Sequence, residues 1–154
     1  MHAYFFDITT YGAVGDGATL NTQAIQQAID AAAAQRGGVV FFPPGVFLTG
    51  TLELKSGVTL ELHPAAVLRG SPRLEDYRQL HHTRDDDRTP WHLLTAHQAH
   101  DITIRGGTID GNGTAFWEPV VGAIPSLPWW HARRTPNVPP CCGFTPARSA
   151  VPAR

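Results

Sequence analysis

Charge is scarce in this sequence. Only 16% of its 154 residues are charged, Lys55 is the single lysine, and the formal net charge is −1. A near-neutral chain lacks the basic field that holds phosphate backbones or anionic membrane surfaces, so neither nucleic acid nor membrane is an expected partner. No apolar run reaches the ~18 residues of a membrane-crossing helix. Cysteine is confined to the adjacent pair Cys141–Cys142. That spacing matches no zinc pattern, and no second pair exists to complete one. Acidic residues stop at Glu118. Residues 119–154 instead carry Arg133, Arg134, Arg148, Arg154 and eight of the 13 prolines. This break predicts a folded part over 1–118 and a Pro/Arg-rich, non-globular tail over 119–154. Met1–Asp7 has neither a basic region nor a long apolar stretch, which argues against a secretory leader and makes the cytoplasm the expected location.

What is present is punctuated by glycine. Tyr4–Ile8 is a short β-type run, and Tyr11–Gly17 holds glycines at 12, 15 and 17, a tight turn. The order of those glycines is wrong for a dinucleotide-binding loop. Asn21 or Thr22 is placed to cap a helix over Ala24–Ala34 through its side-chain oxygen. Ile25, Ala28, Ile29 and Ala32 line one face of that helix, and Gly37–Gly38 should stop it. From Val39 the period becomes strand-like: Val39–Phe42, Val46–Thr49, Leu52–Leu54, Val58–Leu62, Ala66–Arg69, Ile102–Arg105 and Thr108–Asp110. Strands of three to five residues separated by Gly-containing turns are shorter and closer than a sandwich or barrel needs. They fit an all-β solenoid, a parallel β-helix whose inward Val, Leu and Ile stack from coil to coil. The isoleucine face of the helix would then cap the first coil, which otherwise exposes a pairing edge. Residues 73–101 read as an excursion, with Leu93–Ala96 resuming a strand.

Several groups invite a functional reading, and each has a plainer one. Asp85–Asp87 with His81, His82 and His92 has no metal-loop spacing and reads as a solvated loop, so no metal is expected. Asp110–Gly111–Asn112–Gly113 could line a sugar cleft, but Asp-Gly and Asn-Gly favour turns with positive φ. Phe116, Trp117, Trp129 and Trp130 could stack on sugar rings; core packing or a place in the tail is the simpler reading.

A family resemblance rests on five words in order. They are Tyr11–Gly17, Asn21–Ala32, Gly37–Gly45, Phe47–Leu60 and Ile109–Gly113. The opening words alone also resemble pectate-lyase-like β-helices and phage tailspikes. Together, over roughly residues 6–118, the five resemble the N-terminal part of glycoside hydrolase family 28, the polygalacturonase-like branch of the pectin lyase-like superfamily. The resemblance implies a right-handed parallel β-helix and inverting hydrolysis of α-1,4-galacturonosyl bonds in pectin or oligogalacturonides, without a cofactor. The family's catalytic and substrate-binding words, Asn-Thr-Asp, Asp-Asp, Gly-His-Gly and Arg-x-Lys, have no counterpart in context here: Asn21–Thr22 is followed by Gln23, and Asp85–Asp87 comes too early. No residue is therefore assigned as catalytic, and a chain truncated before those words is expected to be inactive. A non-catalytic carbohydrate-binding module and a calcium-dependent lyase remain alternatives. The tail has its own reading. Shifted by one base, Asn137–Phe144 permits Arg-Pro-x-Leu-Leu-Arg-Phe, similar to the family's continuation, so a frameshift near residues 131–136 is expected.

Overall fold

The computed structural model describes residues 4–78 and 91–116. Their order is β1 (Phe5–Asp7), a 3-10 turn (Ile8–Tyr11), β2 (Asp16–Leu20), α1 (Thr22–Ala34), β3 (Gly38–Phe42), β4 (Gly45–Thr49), β5 (Leu52–Leu54), β6 (Val58–Gly70), a 3-10 turn (Leu74–Asp76), β7 (Leu94–Ala96), β8 (Thr103–Asp110) and a final 3-10 turn (Gly113–Phe116). The expected tail, its frameshift, Asp85–Asp87, His81, His82, Trp117, Trp129, Trp130 and Cys141–Cys142 lie outside the described residues.

Every described strand pair is parallel, and the strands form three columns, two in a six-stranded sheet and one in a two-stranded sheet. In the first, β1, β3, the first half of β6 and the first half of β8 are stacked. In the second, β2, β4, the second half of β6 and the second half of β8 follow the same order. The third holds β5 and β7. Register aligns like with like. Phe6, Val40, Leu60 and Ile104 occupy one line, and Phe47, Leu68 and Ile109 another. Val40, Phe42, Phe47, Leu52, Val58, Leu60 and Leu68 are buried, so the inward period-2 positions form one core running along the stack.

The strands are not uniformly three to five residues long, as the spacing of turn residues suggested. β6 runs for 13 residues and β8 for eight, each continuing round a corner into the second column. At that corner the register slips between Leu62 and Val67. Between those partners β6 has His63, Pro64, Ala65 and Ala66, whereas β8 has Gly107 alone; Gly106 and Gly107 sit at φ of 75° and 48°. A Cβ on Gly107 would lie 2.5 Å from that of Leu62, and one on Gly106 would collide with the Leu62 carbonyl. Another departure is β2, a strand where the glycines suggested only a turn. It bulges between Asp16 and Leu20. The Asp16 carboxylate holds the bulge, accepting from the amides of Ala18 (2.9 Å) and Thr19 (2.8 Å) and from the Thr19 hydroxyl (2.7 Å). The Thr19 amide, then the Ala18 amide, lower the Asp16 pKa from 3.8 to about 2.

Helix α1 closes the first level. Ile25, Ala28, Ile29 and Ala32 are fully buried, the face the spacing predicted. The cap itself differs from expectation. Asn21 occupies the N-cap position without a side-chain bond to the helix. Its buried amide instead accepts from Val14 N–H (2.7 Å) and donates to the carbonyls of Val14 (2.9 Å) and Thr19 (2.7 Å). Thr22 accepts from the Gly50 amide at 2.7 Å, tying the helix start to the end of β4. Gln26 lies beneath β5, which has no described strand on that side. Its amide donates to Glu53 O (3.0 Å) and accepts from Glu53 N–H (2.9 Å), replacing the absent neighbour. The helix ends at Ala34, as expected, but the first left-handed residue after it is Arg36 (φ 63°) rather than a glycine, and Gly37 N–H bonds Ala32 O at 3.0 Å.

Three outcomes follow for stability. Gly106→Ala should cost about 3 kcal/mol or more in chemical denaturation, while Gly111→Ala, where a Cβ meets nothing within 4 Å, should stay within ~0.5 kcal/mol. Gln26→Met, which keeps length but strands the Glu53 amide and carbonyl, should cost ~1–3 kcal/mol. Because Asp16 binds its proton less tightly folded than unfolded, its contribution is complete above pH 3.8 and is lost as pH falls towards about 2. Denaturation midpoints across that window should fall more steeply for the native chain than for Asp16→Asn.

Candidate functional site

Polar chemistry gathers on the outer face of the second column and on the loops leaving it. Position 69 on β6 and position 110 on β8 are register partners, and both are outward, between buried Leu68 and Gly70 and beyond Ile109. Arg69 Nε therefore meets Asp110 Oδ2 at 2.9 Å. The other oxygen of Asp110 accepts from Asn112 N–H at 2.8 Å, closing an Asx turn. Asn112 sits at φ 52° and donates its side-chain amide to Gly70 O at 3.0 Å. The Asn112 amide first, and then the Arg69 guanidinium, hold the Asp110 carboxyl below its ordinary range. The Asp110–Gly113 word is thus a turn, as its residue types predicted, with one Asp110 oxygen closing it and the other held by Arg69.

A second cluster buttresses this one. Asp76 accepts from Ser71 Oγ and, in fork geometry, from Arg73 Nε and Nη2 at 3.2 Å each. Tyr77 donates to Ser71 O at 2.9 Å and meets Phe116 edge-on, ring centroids 6.4 Å apart. Phe116 is buried, so of the aromatics weighed as sugar platforms it is a packing residue. In the third column Glu53 accepts from Lys55 (2.7 Å) and Arg78 (3.1 Å). Lys55 chiefly, with Arg78, holds the Glu53 carboxyl below its usual value against the opposing effect of burial. Glu61 and Arg105, opposite each other on β6 and β8, form a further ion pair.

These ion pairs were not legible in the sequence. Three of them, Arg78–Glu53, Arg69–Asp110 and Arg105–Glu61, join positions 25 to 44 residues apart, and their juxtaposition depends on the length of each level. The other candidates fall to structural roles. Gly12 and Gly15 precede β2 and Gly17 lies within it, and Gly15 O accepts from Val46 N–H at 3.1 Å. The His92 carbonyl accepts from Thr51 Oγ1 at 2.7 Å. Among the described residues no group of three or more His, Cys, Asp or Glu is arranged to hold a metal ion. The described carboxylates with a clear shift, Asp16, Glu53 and Asp110, all move downward, towards the ion. They are hydrogen-bond acceptors, not proton donors, near neutral pH.

Comparison with known proteins agrees with this geometry. Residues 5–66 match the family model "Rhamnogalacturonase A/epimerase, pectate lyase-like". An exo-poly-alpha-D-galacturonosidase of Dickeya chrysanthemi is 44% identical over 118 residues, covering 70% of this chain and 19% of that protein. The solved family 28 exopolygalacturonase of Yersinia enterocolitica superposes with a TM-score of 0.66 at 34% identity, covering 79% of this chain and 23% of that one. Plasmin and fibronectin-binding protein A of Streptococcus pneumoniae is 38% identical over 113 residues, covering 69% of this chain and 15% of that protein. This chain thus spans a quarter or less of each of these three relatives. Parallel ladders, one capping helix and these matches together place the chain among the pectin-lyase-like proteins, with family 28 polygalacturonases among its relatives.

Proposed function

We propose that this chain is the capped start of a right-handed parallel β-helix from a pectin-degrading, polygalacturonase-like glycoside hydrolase, and that these residues are its scaffold. The substrate class is galacturonan, cleaved with inversion at α-1,4 linkages. The galacturonosidase and exopolygalacturonase relatives support that class. One observation carries the scaffold role. Inverting hydrolysis needs a carboxyl kept protonated to donate to the leaving oxygen, with a second carboxylate about 6.5–9.5 Å away to activate water. The described carboxylates with clear shifts are instead held as ions by arginine, lysine or their own turns. Binding energy without a group acting in the transition state does not become rate.

A second reading has one observation in its favour. The relative from Streptococcus pneumoniae is named for binding plasmin and fibronectin, so this fold also serves proteins named for adhesion. On that reading the chain is a non-catalytic binding module.

Purified chain, its fold checked by far-ultraviolet circular dichroism, is incubated with polygalacturonic acid and new reducing ends are measured. No release above the blank is expected; sustained turnover would overturn the scaffold role. Titration calorimetry with oligogalacturonides separates the two readings, since saturable heat favours a binding module and flat heat the scaffold.

A further inference from the structure

One asparagine of this chain precedes a glycine. Of Asn21, Asn112 and Asn137, only Asn112 does so, at Asn112–Gly113. Asparagine is a thermolabile residue, because the backbone nitrogen that follows it can attack its side chain. Glycine at that place has no Cβ to hinder the attack. The Gly113 nitrogen bonds to Asn112 Cγ and gives up its proton, Nδ2 takes a proton and leaves as ammonia, and a cyclic succinimide remains. Water then opens the ring at either carbonyl, giving aspartate or isoaspartate. Water is the only co-reactant.

The turn after β8 holds the groups that this reaction must move. Asn112 N–H donates to Asp110 Oδ1 at 2.8 Å, and Asn112 O accepts from Ala115 N–H at 3.0 Å. The peptide groups on both sides of Asn112 are thus fixed, with the residue itself at φ 52°. Nδ2, the leaving nitrogen, donates to Gly70 O at 3.0 Å, across to the end of β6. Ring closure requires the side chain to rotate off Gly70 and the Asn112–Gly113 peptide to swing towards it, which breaks the bonds to Gly70 and Ala115. All of these bonds lie within the described residues, so a stack that continues past β8 leaves them in place.

The product does not fit the turn that protected the reactant. An ionised aspartate at 112 has no donor for Gly70 O and stands beside the Asp110 carboxylate. Isoaspartate adds a methylene to the backbone of the turn. We propose that Asn112 is a modification site, closed to deamidation while the turn from Asp110 to Ala115 is formed and converted when that turn opens. Each converted chain records an opening, and its β8 is no longer tied to Gly70 through residue 112.

Trypsin cuts after Arg105 and Arg133, so the peptide 106–133 carries Asn112 as its sole asparagine and has no glutamine. The full chain is kept in mildly alkaline buffer, folded or unfolded in guanidinium chloride. Conversion of that peptide is followed by mass spectrometry, with enzymatic methylation to count isoaspartate. It should be about tenfold or more slower in the folded chain, where reaction waits on local opening. Equal rates would overturn the proposal. Two variants test the turn, each read against its own rate in guanidinium chloride. Asp110→Ala removes the acceptor at the Asn112 amide and should raise the folded rate threefold or more. Asp110→Ser loses the same ion pair to Arg69 but keeps an acceptor at that amide, and should raise it less. Equal acceleration by both variants, or none by either, would contradict protection by the turn.

Discussion

The structure depends on vertical alignment of inward side chains. Parallel pairing places Val40 over Phe6, Leu60 over Val40, and Phe47 beside Leu68, so each level buries the one before it. A strand of five residues has too little apolar surface to order its own backbone, and it gains a core only from neighbours above and below. Stacking makes the ends of the molecule its problem. At an end the inward side chains have no neighbour, and half the ladder groups have no partner.

The start of the stack answers both needs with one helix. Ile25 and Ile29 supply the apolar cover. Gln26 supplies the hydrogen bonds that a strand beneath β5 would have made, and Asn21 does the same for the Val14 backbone. An amide side chain carries a donor and an acceptor in the geometry of a peptide group, which is why these two residues can stand in for a strand. The far end, at β8, lacks such an answer among the described residues. On the outer face there, Glu61 pairs with Arg105 and Asp110 with Arg69 across neighbouring levels.

Part of this was legible from residues alone. The spacing of Ile25, Ala28, Ile29 and Ala32 gave the buried helix face, and the alternation of Val58, Leu60 and Leu62 gave the inward side of β6, because both are local periodicities. The turn at Asp110–Gly113 was readable from residue type. Asp16–Leu20 misled because a bulge places glycine and aspartate inside a strand, and the Asp16 carboxylate that stabilises it imitates turn chemistry. Asn21 misled in another way: its position suits a cap, but burial against Val14 offered its amide three backbone partners. The corner in β6 reads as a strand end because Pro64 interrupts it, yet the chain stays extended through the bend. The ion pairs between levels were hidden because sequence does not state how many residues one level takes.

Coupling between levels is the claim to measure first. Val40 and Leu60 are register partners on successive levels, 20 residues apart in sequence. A double-mutant cycle of Val40→Ala and Leu60→Ala, read by chemical denaturation, reports whether their contributions depend on each other. Direct stacking predicts an interaction energy of about 0.5–3 kcal/mol. Strict additivity of the two losses would contradict the stacked core.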